Sequence, residues 1–103
     1  MTRNDVRVFL AEELRQVARA CVIAITVDRD PDHPAVRFMR KHGGLEAAES
    51  VPRDEIGTER GRERALRFHL ELTEKLVDEI ERVLPPDQRS LVAIKDQLGM
   101  PRL

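Results

Sequence analysis

An all-α fold is the class this sequence predicts, and three observations predict it. Along two long stretches apolar residues recur at three- and four-residue spacing, which at about 100° per residue gathers them on one helix face. Charged residues make up 36% of the chain and hydrophobic residues 41%, the balance of helices with one buried and one densely charged face. Aromatic residues make up 3%, as Phe9, Phe38 and Phe68, so the core is expected to be aliphatic rather than the aromatic-rich packing of a sandwich or barrel. The 103 residues suffice for a single helical domain, 1–103, around one core.

The first element is expected to start at Asn4 or Asp5, whose side chains can accept from a free backbone N–H. Val6, Leu10, Leu14, Val17, Cys21 and Ile25 then fall in one narrow arc, with Glu12, Arg15, Gln16 and Arg19 opposite. This predicts an amphipathic helix to about Ala20. From 20 to 27 the run is apolar all round. A fully buried helix end accounts for it, and so does a short buried strand, because the run is rich in β-branched residues. No partner strand is evident elsewhere, so helix is the preferred reading.

The segment 28–34 reads as a loop, with Asp32 as the expected N-cap of a short helix over 34–41 and Pro34 in its first turn. Val36, Phe38 and Met39 form its apolar contribution, and Gly43-Gly44 ends it. A further short helical piece is expected over 45–50, before Pro52. The segment 51–62 holds two glycines and many charges, and Ile56 is out of phase with the next helix, so the segment is read as a mobile loop.

The strongest element runs from about 63 to 84. Ala65, Leu66, Leu70, Leu72, Leu76, Val77, Ile80, Val83 and Leu84 cover an arc roughly 150° wide, which implies at least two packing neighbours. Glu63–Arg67, Glu71–Lys75 and Asp78–Arg82 are i,i+4 pairs in the favourable order. Pro85-Pro86 stops this helix. Asp87 or Ser90 caps a last helix to about Leu98, with Leu91, Ile94 and Leu98 inward, Gly99 ending it and Pro101 beyond.

The fold expected is a small bundle of two long helices plus shorter C-terminal and insert helices. Low aromatic volume and the all-apolar run at 20–27 predict that a homo-oligomer, a dimer first, completes it. Leu10, Leu14, Val17, Leu66, Leu70, Val77, Ile80 and Leu84 are the residues expected to serve packing or assembly.

Function is less legible. The net charge of −1 creates no overall field toward nucleic acid or an anionic membrane, so either partner needs a local basic patch. The single cysteine, Cys21, excludes an internal disulfide and reads as a small core residue. The polar start of the chain is not followed by a signal-peptide apolar core, and no apolar run approaches the ~20 residues of a membrane helix, so the expected compartment is the cytoplasm. His69 lies inside the apolar arc of the strongest helix, with Ala65, Leu66, Leu72 and Thr73 one turn away, so a paired core or interface histidine is expected rather than a metal ligand. Asp28, Asp30 and Asp32 alternate as in a calcium loop, but His33 and Met39 stand where Gly and Glu are needed, which leaves turn and capping roles.

Arg60, Arg62, Arg64 and Arg67 cluster ahead of the strongest helix and are the candidate contacts for an anion or nucleic acid. Glu59 and Glu63 interleave with them and weaken their field. The stretch 91–102 resembles the first helix and turn of a helix-turn-helix, an apolar helix ending at Leu98-Gly99, without a recognition helix after it. Glu46 with Glu49, and Glu71, Glu74 with Asp78, form ExxE-like pairs on separate helical pieces. The spacing resembles the carboxylate pattern of the all-α nucleotide pyrophosphohydrolases of the MazG type, and implies carboxylates that hold Mg²⁺ to activate water against a triphosphate. The resemblance rests on these five residues. A solvated charged face accounts for the same spacing. No Gly-rich phosphate loop, Ser/His/Asp arrangement or cofactor fingerprint is present, and no cofactor is expected.

The leading expectation is therefore a non-enzymatic helical protein acting by protein–protein association, as a small subunit, adaptor or regulator. The alternatives are a nucleic-acid-linked transcriptional regulator and a Mg²⁺-dependent nucleotide pyrophosphohydrolase.

Overall fold

In the computed structural model, residues 1–44 and 57–102 are described, and among them every regular element is helical. The helical piece expected over 45–50, and Ile56, lie outside the described residues.

Helix α1 spans Arg3–Ile23. Its N-cap is Thr2: the Thr2 hydroxyl accepts from the Asp5 amide at 3.1 Å, and the Asp5 carboxylate accepts from the Thr2 amide at 3.0 Å. This capping box corrects the expected cap at Asn4 or Asp5. Asp5 serves the cap from the third helical position, where its charge also faces the positive helix end. Val6, Leu10, Leu14, Val17 and Cys21 are buried along the expected arc.

Past Ile23 the helix widens into a π-helical turn, Ala24–Asp28, that ends at Arg29 with φ 50°. The run 20–27 is thus helix, not strand. Widening the turn shifts the phase, so Ala24 is buried where Ile25 was expected. The expectation of a fully buried run is also corrected: within the chain Val22, Ile23, Ile25 and Val27 are 55%, 45%, 42% and 71% exposed. The Thr26 hydroxyl donates back to the Val22 carbonyl at 2.7 Å, which satisfies it inside the turn.

Helix α2 spans Pro34–Lys41 and buries Ala35, Val36, Phe38 and Met39 against α1 and the π turn. Its cap is His33, whose Nδ1 accepts from the Ala35 amide at 3.0 Å. Pro34 forces the residue before it out of the helical region, and His33 sits at φ −56°, ψ 139°. The cap therefore falls on His33 and not on Asp32, whose amide instead donates to the Asp30 carboxylate at 3.1 Å. Gly43 closes the helix at φ 78°.

Helix α3 spans Glu59–Val83. It begins four residues before the expected start, because Thr58 caps it through the Gly61 amide at 3.1 Å. Residues 59–62 are helix, which corrects the loop expected over 51–62 in its last third. Leu72, Thr73, Leu76, Val77 and Ile80 enter the core. The Thr73 hydroxyl is satisfied by the His69 carbonyl at 2.8 Å. A 3₁₀ turn, Pro86–Gln88, leads to helix α4, Leu91–Leu98. Ser90 caps α4 through the Ala93 amide at 3.1 Å, and Gly99 ends it in the left-handed region at φ 69°. Ile94 and Leu98 point inward, whereas Leu91, expected inward, is 48% exposed.

Helices α1 and α3 run antiparallel. Arg3 meets Asp78 and Glu81 of α3, and Arg7, one turn further along α1, meets Glu74, one turn back along α3. Helix α2 covers a second side of α1, and α4 packs on α3. The largest fully buried side chains are Leu10, Leu14, Leu76, Ile80, Ile94 and Leu98, an aliphatic core as composition predicts. The molecule measures 46 × 28 × 17 Å. Among the described residues no helix is long and apolar enough to cross a membrane.

Candidate association surface

The two halves of α3 carry the same face to different surroundings. Residues seven apart on an α-helix differ by only about 20° in direction. Leu66, His69 and Leu70 therefore lie on the face that continues as Thr73, Leu76 and Val77. Thr73, Leu76 and Val77 are at most 1% exposed, yet Leu66 is 58% and Leu70 54% exposed. In the antiparallel register the exposed end of α1 lies alongside the start of α3, so Val22, Ile23, Leu66 and Leu70 fall in one half of the molecule, while Val8, Val83, Leu91 and Val92 are exposed outside that half.

His69 belongs to that half. Its Nε2 is shielded from water and has no hydrogen-bond partner among the described residues. The pairing expected for this histidine is therefore not supplied there by its own chain. A buried polar atom left unpaired destabilises by about 1–3 kcal/mol.

The other residues singled out in the sequence are spread over the core and the surface. Leu10, Leu14, Val17, Val77 and Ile80 lie in the intramolecular core, and Leu84 is half-buried against it. Arg60, Arg62 and Arg67 are exposed and Arg64 is half-buried. Arg60 and Arg64 are already engaged in interactions. Cys21 is a free, buried thiol. No helix follows α4 among the described residues.

Three carboxylates of α3, Glu74, Asp78 and Glu81, face α1. Arg3 lies 3.0 Å from Glu74, 2.7 Å from Asp78 and 2.6 Å from Glu81, and Arg7 Nε donates to Glu74. The hydrogen bond from Arg7 is the main cause that holds the Glu74 carboxyl below the usual carboxylate range. Asp78 and Glu81 in turn raise the Arg3 guanidinium, and Glu74 raises that of Arg7. Two of the five carboxylates in the pyrophosphohydrolase-like pattern are thus matched to guanidinium groups, Glu71 is exposed, and Glu46 and Glu49 lie outside the described residues. Among the described residues no three His, Cys, Asp or Glu side chains are grouped to hold a metal ion.

Two features escaped the sequence reading. The cross-helix network needed the register of α1 on α3, which no pattern within one helix reveals. His42 is 8% exposed at the end of α2, with Nε2 at 3.3 Å from the Leu98 carbonyl and its ring 4.5 Å from that of Phe38. The Lys75 ammonium donates to the His42 carbonyl at 3.3 Å, so one residue joins α2, α3 and the end of α4. In the sequence His42 is only the polar end of a basic helix.

Fold and surface together define a small all-α protein with an aliphatic core and an apolar helix face left uncovered over the first half of α3. Compared with protein-family models, curated proteins and solved structures, the chain matches none of them.

Proposed function

We propose that this protein works by association, as a small cytoplasmic helical subunit or regulator whose first partner is a second copy of itself. One observation carries the reading: Leu66 and Leu70 stand in solvent on the helix face that is fully buried one heptad later. A two-fold contact centred near Phe68 would set Leu66 of one copy against Leu70 of the other, the reciprocal pairing that isologous interfaces require.

The nucleic-acid and pyrophosphohydrolase readings have less support. Arg60 and Arg64 already have interactions, and Glu74 and Asp78 are engaged by α1. Sedimentation velocity on the full chain tests the proposal. The expected result is a dimer at micromolar concentration, and a monomer of unchanged helicity for the double variant Leu66→Glu, Leu70→Glu. A compact wild-type monomer at about 100 μM, where a Kd near 1 μM would leave mostly dimer, would rule it out.

A further inference from the structure

The molecule also has a cleft, whose lining is separate from Leu66 and Leu70. About 250 Å³ of space lies between α2 and the segment after α4, lined by Pro34, Arg37, Phe38, Lys41, Gly99 and Pro101. Its floor is apolar, since Phe38 is 4% exposed and the two proline rings flank it. Its rim is cationic. Arg37 and Lys41 are exposed and stand one turn apart on one face of α2.

These two charges are unmatched. From His33 to Gly44 the sequence holds no acidic residue, while Arg37, Arg40 and Lys41 are all basic. Among the described residues neither Arg37 nor Lys41 has a carboxylate within ion-pair distance. Asp96, the one acid of α4, is exposed. This contrasts with Arg3 and Arg7, which share Glu74, Asp78 and Glu81. Like charges one turn apart repel, and a concave apolar wall concentrates their field.

Gly99 completes the shape. Its left-handed turn leaves the rim without a side chain, and a β-carbon there would stand 3.8 Å from the Lys41 ammonium. The ammonium therefore lies at the negative end of α4, which holds it beside the cleft.

We infer that this cleft binds a small organic anion: a phosphate or carboxylate, gripped by Arg37 and Lys41, carried on a flat apolar body that rests on Pro34, Phe38 and Pro101. Arginine supplies the planar fork that matches either anion, and lysine the second charge. The space is somewhat below the 300–1,000 Å³ typical of drug-sized ligands, which restricts the body to about one ring.

Amide NMR titration of the full chain tests this, with phenyl phosphate, benzoate, inorganic phosphate and benzyl alcohol as probes. Saturable shifts at Arg37, Lys41 and Gly99 are expected for phenyl phosphate or benzoate, and the stronger of the two identifies the anion. Inorganic phosphate and benzyl alcohol should bind at least about ten-fold more weakly, since each lacks one half of the recognition. Arg37→Gln and Lys41→Gln should each weaken binding by about ten-fold. Both side chains are exposed, and unchanged circular dichroism would verify that the variants fold. No saturation by about 10 mM would overturn the inference, as would equal binding of inorganic phosphate or unaltered binding by the double glutamine variant.

Discussion

The two halves of α3 are one helix with one repeating face, and they meet opposite fates. From Leu72 onward the face lies against α1, with Leu76, Val77 and Ile80 at 0% exposure. Before Leu72 the same face offers Leu66 and Leu70 to solvent and leaves His69 Nε2 without a partner among the described residues. Helical periodicity therefore says which side of a helix is apolar. It does not say how far along that side a neighbour extends.

The largest expected effect tests this contrast directly. Leu76→Ala opens a cavity in a site that cannot easily collapse and should lower unfolding stability by about 2–5 kcal/mol. Leu66→Ala should change the stability of the monomer by less than about 0.5 kcal/mol, because its side chain is already half in water. Urea denaturation at a concentration that keeps the chain monomeric separates the two. If both variants lose stability equally, the face is covered along its whole length. Repeating the comparison at high protein concentration sharpens it: the cost of Leu66→Ala should grow with concentration only if association buries that side chain.

The next effect lies at the ordered end of α1. Thr2→Ala removes the reciprocal cap with Asp5 and should cost about 1 kcal/mol. Retention of full stability would mean that the first turn, and with it the contacts of Arg3, contributes little to the fold.

Electrostatic effects should be smallest. Arg7→Gln should cost less than either Leu76→Ala or Thr2→Ala, because the pairs it makes are partly exposed, and the loss should shrink further in high salt. His42 contributes a pH dependence. Burial is the main cause that lowers its imidazole below the ordinary 6.5, against the raising influence of the Leu98 carbonyl and Glu79; Lys41 and Lys75 lower it further. The unfolded chain then protonates first. Stability is present above about pH 6.5 and drains away as pH falls toward the folded-state value, below which it levels off. Glu74, held low by Arg7 and Arg3, adds a separate loss below the usual carboxylate range, as its folded-state pKa is approached. Denaturation curves between pH 7 and 5 should flatten in His42→Gln, while the acid loss below pH 4.5 should remain.

Much of the fold was legible because its determinants are local. The arc of Val6, Leu10, Leu14, Val17 and Cys21, the Ser90 cap and the Gly99 ending each depend on residues within a turn or two of one another. Errors came where a neighbouring position competed. Thr2 displaced Asn4 as a cap because Asp5 could answer it, and His33 displaced Asp32 because Pro34 dictated its backbone. Thr58 likewise started α3 four residues early. The candidate surface was only half legible. Leu66 and Leu70 were named, but together with Leu10, Leu14, Val17, Val77 and Ile80, which the fold keeps for its own core.

By itself the sequence determined the helical class, the apolar face of each helix and most of its stops, because these depend on backbone geometry and the spacing of side chains along a single stretch of chain. Only the tertiary structure decided which stretch of each face is covered, that Arg3 and Arg7 take up Glu74, Asp78 and Glu81 of α3, and that Arg37 and Lys41 border a cleft beside Gly99. Those outcomes depend on how far one helix runs along another, and that register is a sum over many weak contacts between residues distant in the chain.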